Sequence, residues 1–274
     1  MIFNLNKSIN FLLNSNFFVS ACVVCLALST QIMLNAFNFE ILFFLFFATF
    51  ISYNFQRIIF HNRSNKSSLI SWYNSNKRLI YFFLGFSLLI FLYLFFNLNV
   101  STKIAVILLS LISILYPFGL RNIPYLKIFL IAASWAISTV LLTYFENNLF
   151  IDQRFYLEIF ARFFFILGIT IPFDIRDLKF DNRRLNTIPI VFGFNDSKKI
   201  ALFFLFIYIL ISSYVYLFNN FNLNYLLATF FCFLYSAYLV NNLKANSSNF
   251  YYSFWLESCS ISLLVFLIIT SIFL

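Results

Sequence analysis

The stretch Phe173 to Gly193, FDIRDLKFDNRRLNTIPIVFG, closes a long apolar run and holds Asp174, Asp177 and Asp181, three of the nine acidic residues in a chain of 274. On a helix, positions i, i+3 and i+7 fall within roughly 60° of one another, on one face. Three carboxylates that close repel each other, and a cation between them resolves the conflict. A hard divalent ion such as Mg²⁺, which takes carboxylate oxygens and keeps water or phosphate as its other ligands, suits the spacing. Asp174, Asp177 and Asp181 are therefore the expected metal-binding and catalytic residues.

The surrounding composition says where such a site sits. With 62% hydrophobic residues, 10% charged, 44 Phe and a mean hydropathy of +0.91, the chain has too little polar surface for a soluble protein of this length. Its apolar runs are continuous and roughly 18 to 22 residues long, which predicts membrane-spanning helices rather than a barrel of alternating strands. Nine runs qualify: Phe17 to Leu34, Ile41 to Phe60, Leu79 to Phe96, Ile104 to Leu120, Ile128 to Phe145, Phe155 to Phe173, Ile200 to Phe218, Tyr225 to Leu243 and Tyr252 to Phe273. Short Asn-rich, Ser-rich or charged joints connect them, so residues 1–274 are expected to form one all-α transmembrane domain.

Charge placement predicts the orientation. If the N-terminus is cytoplasmic, fifteen of the eighteen Lys and Arg residues fall inside, only Lys103 and Arg154 fall outside, and Arg162 lies within the sixth span. There Arg162 follows Glu158 by one turn, the spacing of an intrahelical ion pair. The topology accounts for the net charge of +9 without nucleic-acid binding. Lys7 before an apolar run resembles a signal peptide, but no small-x-small cleavage site follows, and the run is read as the first span. Cys22, Cys25, Cys232 and Cys259 all lie in expected spans and read as small apolar residues, including the Cys22-x-x-Cys25 pair. Asn195-Asp196-Ser197 reads as a cap for helix seven, and His61 as a residue of a solvated loop.

Four spans return the chain to its starting side, so helices one to four and five to eight would form two halves of like orientation. The second helix of each half ends in a polar cluster, Tyr53-Asn54-Phe55-Gln56-Arg57 in one and Asp174-Ile175-Arg176-Asp177 in the other, and each is followed by a basic loop. Two copies of one site could face each other across a cavity.

These features together resemble the UbiA-type superfamily of intramembrane prenyltransferases, which has nine transmembrane helices and Asp-rich motifs at the cytoplasmic ends of the second and sixth. Asp174, Asp177 and Asp181 stand where the family's D-x-x-D-x-x-x-D does. Thr187-x-Pro189 and Gly193 are similar to its T-x-P-x-x-x-G, and Tyr116-Pro117, Arg121 and Lys127 to its segment after helix four. The first motif differs: with Asn54 aligned on the family's N-D-x-x-D-x-x-x-D, Phe55, Ile58 and Asn62 replace the three Asp. No acidic residue occurs between Glu40 and Glu146. The spacing from Asp181 to Thr187 is one residue short, and Leu185 replaces a Gly.

The resemblance implies transfer of a prenyl group from an isoprenoid diphosphate to a lipophilic acceptor, with Mg²⁺ at the cytoplasmic face of a bacterial inner membrane. With one acidic platform absent, cations could meet the diphosphate directly, because guanidinium groups match phosphate oxygens. The expected substrate-binding set is Asn54, Arg57, Lys127, Arg176, Tyr116 and Glu257. Alternatively, those cations only anchor helix ends to anionic headgroups, and the chain is a non-catalytic prenyl-lipid-binding protein of the same fold. A transporter is disfavoured because the charges gather at one face rather than at the midplane. Donor length, acceptor and oligomeric state leave no mark on the sequence.

Overall fold

A computed structural model describes residues 2–61, 68–178, 185–218 and 222–273. Among them the chain forms helices throughout. A first helix, α1 (Ile2–Asn14), precedes the membrane region, and α2 (Phe17–Leu34) follows a sharp joint at Asn16, whose φ of 71° lies in the left-handed region that Asn tolerates. Then come α3 (Phe39–His61), α4 (Ser68–Asn97), α5 (Val100–Phe118), α6 (Leu126–Glu146), α7 (Gln153–Asp177), α8 (Ile188–Phe218), α9 (Leu223–Asn241) and α10 (Tyr251–Phe273). Helices α2 to α10 contain nine segments long and apolar enough to cross a bilayer, the number expected from the sequence.

α5 begins at Val100 rather than Ile104, and three further boundary differences bear on the site. α4 starts near Ser68 because the polar stretch before Leu79 is helical too. α7 continues to Asp177 and so includes the first two acids. α8 begins at Ile188, about three turns before Ile200, because Gly193 adopts φ 75° and ψ −179° and joins two helical pieces across a kink. That backbone region is essentially restricted to glycine. Asn195, Asp196 and Ser197 lie in the first turn beyond the kink. Ser197 Oγ donates back to the Gly193 carbonyl at 2.5 Å, and Asp196 pairs with exposed Lys199, so this triplet braces the restart of α8 instead of capping its beginning.

Packing contacts run from α2 to α3, α3 to α5, α5 to α6, and on through α7, α8, α9 and α10 back to α2, with α4 against the outside of α3. Helix α7 is the most enclosed, with 67% of its spanning window buried against 17% for α4. On α4, Phe82, Leu89, Tyr93 and Phe96 point away from the protein, each more than 65% exposed. Such a continuous apolar exterior needs a bilayer to cover it, and the chain is an integral, multi-pass membrane protein. α7 and α8 approach so closely at Gly168 that a Cβ there would lie 2.7 Å from Leu205 Cγ and 3.0 Å from the Ala201 carbonyl.

Glu158 and Arg162 make no direct ion pair across their turn, although their charges lie within electrostatic reach of one another. Their side chains reach to different helices: Tyr225 of α9 donates to Glu158 Oε1 at 2.6 Å, while Arg162 donates to the Leu26 carbonyl (3.0 Å) and Thr30 Oγ1 (3.2 Å) on α2 and to Thr139 Oγ1 (3.3 Å) on α6. Neutral oxygens on neighbours satisfy a buried guanidinium that would otherwise be costly. Thr139 lies in a π-turn, Ile137–Leu141, that interrupts α6. The four cysteines are free thiols.

Candidate functional site

The alternating directions of the spans bring the ends of α3, α5 and α7 and the starts of α2, α6, α8 and α10 to one end of the bundle. Asp174 and Asp177 stand one turn apart on the last turns of α7, with Asp174 only 1% exposed. Lys127, the second residue of α6, crosses to both: its Nζ lies 2.7 Å from Asp174 Oδ1 and 3.6 Å from Asp177 Oδ2. Arg176 Nε donates to Asp177 Oδ1 at 2.8 Å, and its guanidinium lies 5.2 Å from the Phe173 ring centre and 5.8 Å from that of Tyr252. The faces of these two tilted rings hold this cation in place. A backbone bond from Tyr125 N to the Leu185 carbonyl (3.2 Å) ties the entry of α6 to the chain after α7, which fixes Lys127 relative to the acids.

α7 carries Asp174 and Asp177 and ends at Asp177, and Asp181, the third acid of the expected set, lies outside the described residues. Among the described residues no three Asp, Glu, His or Cys side chains form a cluster suited to a metal. Asp174 and Asp177 nevertheless fit Mg²⁺, which is usually held by one or two carboxylates together with water and substrate phosphate. The donors are hard oxygens, and the neighbouring cations show that the pair requires compensating positive charge.

Asn54 and Arg57, near the end of α3, are engaged differently from Lys127. Asn54 is fully buried, and its Nδ2 donates to the Ser15 carbonyl (3.0 Å) and the Phe50 carbonyl (2.9 Å). Arg57 donates to the Asn14 carbonyl and to Asn16 Oδ1 (2.6 Å). The helix end expected to face the diphosphate thus grips the joint between α1 and α2. Of the positions that replace the family's acids, Phe55 and Ile58 are apolar residues of α3, and Asn62 lies outside the described residues. His61 is the last residue of α3 rather than part of a loop.

Glu257 opens the regular part of α10 after a π-turn, Tyr251–Leu256, and is half-buried. Cys22 Sγ donates to its backbone carbonyl at 3.4 Å. Its carboxylate lies within electrostatic reach of Arg176 and Tyr53. Tyr116, at the end of α5, is 9% exposed and borders a cavity of about 530 Å³ between α3, α5 and α6. Tyr53, Gln56, Ser113 and Trp135 also line it, and Trp135 Nε1 donates to Tyr53 Oη at 3.0 Å. Along α6 the lining runs from Leu130 to Leu142, a rise of about 18 Å, beginning one turn beyond Lys127.

The sequence reading did not single out this cavity or Trp135. A usable signal was present: polar residues recur at helical spacing along apolar spans, as Thr49, Ser52, Tyr53 and Gln56 on α3 and as Ser110, Ser113 and Tyr116 on α5. In a bilayer such a stripe faces the protein interior.

A model of the UbiA prenyltransferase family matches residues 74–258. Among solved structures, a UbiA homologue from Archaeoglobus fulgidus bound to GPP and Mg²⁺ is similar over 95% of this chain and 98% of its own, with a TM-score of 0.69 at 16% identity. The apo UbiA homologue from Aeropyrum pernix K1 is similar over 94% and 96%, with a TM-score of 0.62 at 10% identity. A digeranylgeranylglyceryl phosphate synthase is similar over 98% and 99%, with a TM-score of 0.61 at 18% identity. No curated protein sequence matches this chain.

Proposed function

Because this chain belongs to the UbiA prenyltransferase family, we propose that it transfers a prenyl group from an isoprenoid diphosphate to a lipophilic acceptor, at the membrane face that carries Asp174 and Asp177. The observation that carries this reading is the buried cluster in which Lys127 and Arg176 balance those two carboxylates at the junction of α6 and α7. GPP and Mg²⁺ in a solved relative of the same fold support it. The fifteen-to-two distribution of basic residues supports a cytoplasmic location for this face.

In this reading Asp174, Asp177 and Asp181 hold Mg²⁺. When bound, the ion supplies neutralisation of the charge that grows on the departing diphosphate. Lys127 is placed to exchange a carboxylate oxygen for a phosphate oxygen without leaving the site, since its three N–H donors serve either partner. Arg176, oriented by Phe173 and Tyr252, offers a planar fork to the phosphate. The allylic carbon–oxygen bond breaks with its electron pair on the diphosphate, and the acceptor's nucleophilic atom then bonds to the allylic carbon and loses a proton. Tyr53, Tyr116 and Trp135 present π faces beside the path of that carbon. Glu257 stands near Arg176 and Tyr53 as the carboxylate that meets the acceptor end of the site. Asn54 and Arg57 act as positioning residues, fixing the α1–α2 joint.

A second reading, prenyl-lipid binding without turnover, is favoured by the internal charge balance and by the use of Asn54 and Arg57 as a clamp. Incubating the purified protein with labelled prenyl diphosphates, Mg²⁺ and a lipid extract separates the two. A labelled lipophilic product supports transfer, whereas saturable donor binding with no product from any extract supports the binding protein.

A further inference from the structure

The cavity between α3, α5 and α6 has a wall whose chemistry is more specific than a hydrocarbon chain requires. None of the described residues lining it is charged, yet α3, α5 and α6 each contribute hydroxyl-bearing residues to its lining. Some of these groups satisfy one another: Ser52 and Ser113 share a hydrogen bond, and Gln56 Nε2 donates to Ser113 Oγ at 3.3 Å. Others do not. Thr49, Ser110 and Ser134, one on each helix, make no side-chain hydrogen bond among the described residues. Unused donors and acceptors in an apolar setting are costly unless a ligand or water meets them. The α6 wall also carries the π-turn Ile137–Leu141, with Ser138 facing the cavity, a distortion common at functional sites.

Size and position complete the argument. A volume of about 530 Å³ lies in the roughly 300–1,000 Å³ range of small-molecule sites. Tyr53 lines the cavity and lies within electrostatic reach of Glu257, and the lining along α6 begins one turn beyond Lys127, so the cavity neighbours the charged cluster although no charged residue lines it. An anionic headgroup in the cavity would be buried without a countercharge, at a cost far above that of a neutral group.

We infer that this cavity is an acceptor site selective for an uncharged, oxygen-bearing lipophile, such as a phenol or an alcohol, and that Thr49, Ser110 and Ser134 set that selectivity by hydrogen bonding. The acceptor role rests on the prenyltransferase reading, but the binding selectivity does not. It is therefore measured without donor and in EDTA. Full-length protein in phosphatidylcholine nanodiscs is equilibrated with tritiated para-dodecylphenol, and para-dodecylbenzoate and dodecylbenzene serve as competitors with the same tail. The phenol is expected to displace itself at least tenfold more effectively than either competitor. The Ser110→Ala/Ser134→Ala protein should bind the phenol about tenfold more weakly, as expected for two lost hydrogen bonds, with unchanged melting and unchanged weak competition by dodecylbenzene. Ala48→Trp, which fills the cavity, should remove phenol binding in a folded protein. Equal competition by dodecylbenzene, stronger competition by the benzoate, or full phenol affinity in the double variant would each overturn the inference. Selective phenol binding by a protein that shows no prenyl transfer would sink the catalytic reading, and with it the acceptor role, and leave the binding selectivity standing.

Discussion

Lys127 reaches Asp174 at 2.7 Å in a place where the carboxylate is 1% exposed, so each ion depends on the other for compensation. Removing one member of such a pair typically costs about 3–5 kcal/mol, because the remaining charge stays buried. Lys127→Met is accordingly expected to lower the melting temperature, and millimolar Mg²⁺ should restore more of the loss than it adds to the parent protein. Equal Mg²⁺ responses would show that the acids do not take a divalent ion in place of the ammonium. Both Asp174 and Lys127 were legible in the sequence, one from an acidic triplet and the other from its place in a basic segment. Their direct contact was not, because it joins two helices. Arg57 makes the same point in reverse: its charge was legible, but its bonds to Asn14 and Asn16 bridge 43 and 41 residues, and no local pattern encodes them.

At the scale of elements, apolar runs located all nine spans because lipid imposes nearly uniform length and hydropathy. The same signal misplaced the ends of α4, α7 and α8, where polar residues continue a helix beyond the hydrocarbon. It also missed α1, whose sequence is interrupted by Asn and Lys, and whose attachment relies on the grip of α3 on Asn14, Ser15 and Asn16. Arg57→Ala should loosen that grip. Limited proteolysis should then cut the N-terminal segment before α2 several times faster than in the parent, with the nine-span body intact. An unchanged rate would remove Arg57 from its positioning role. The motif region thus keeps its place at the end of α3 while its side chains serve a joint, a change that comparison with the family's acidic pattern registers only as missing Asp.

For the whole molecule, the fold brings both polar helix ends to one side of the bundle, as the two-halves pattern anticipated. Cysteines introduced at exposed Asn246, in the α9–α10 connection, and at exposed Ile151, in the α6–α7 connection, lie at opposite ends of the bundle. With the site facing the cytoplasm, a membrane-impermeant maleimide added to intact cells should label Ile151→Cys and leave Asn246→Cys unlabelled until the cells are opened. The reverse pattern would invert the orientation. Composition and spacing conveyed the class and the number of spans, and they singled out the carboxylates of the candidate site. The cavity depends on three helices converging, and only their polar stripes hinted at it. The measurement that bears most directly on the proposed chemistry is Mg²⁺-dependent release of diphosphate from a prenyl diphosphate, in the presence of a lipid extract, by the purified parent and by Asp177→Asn. Release by the parent that stops in EDTA and falls by about 10²–10³ in the folded variant is the predicted result; release that persists undiminished in Asp177→Asn, or that ignores EDTA, would contradict it.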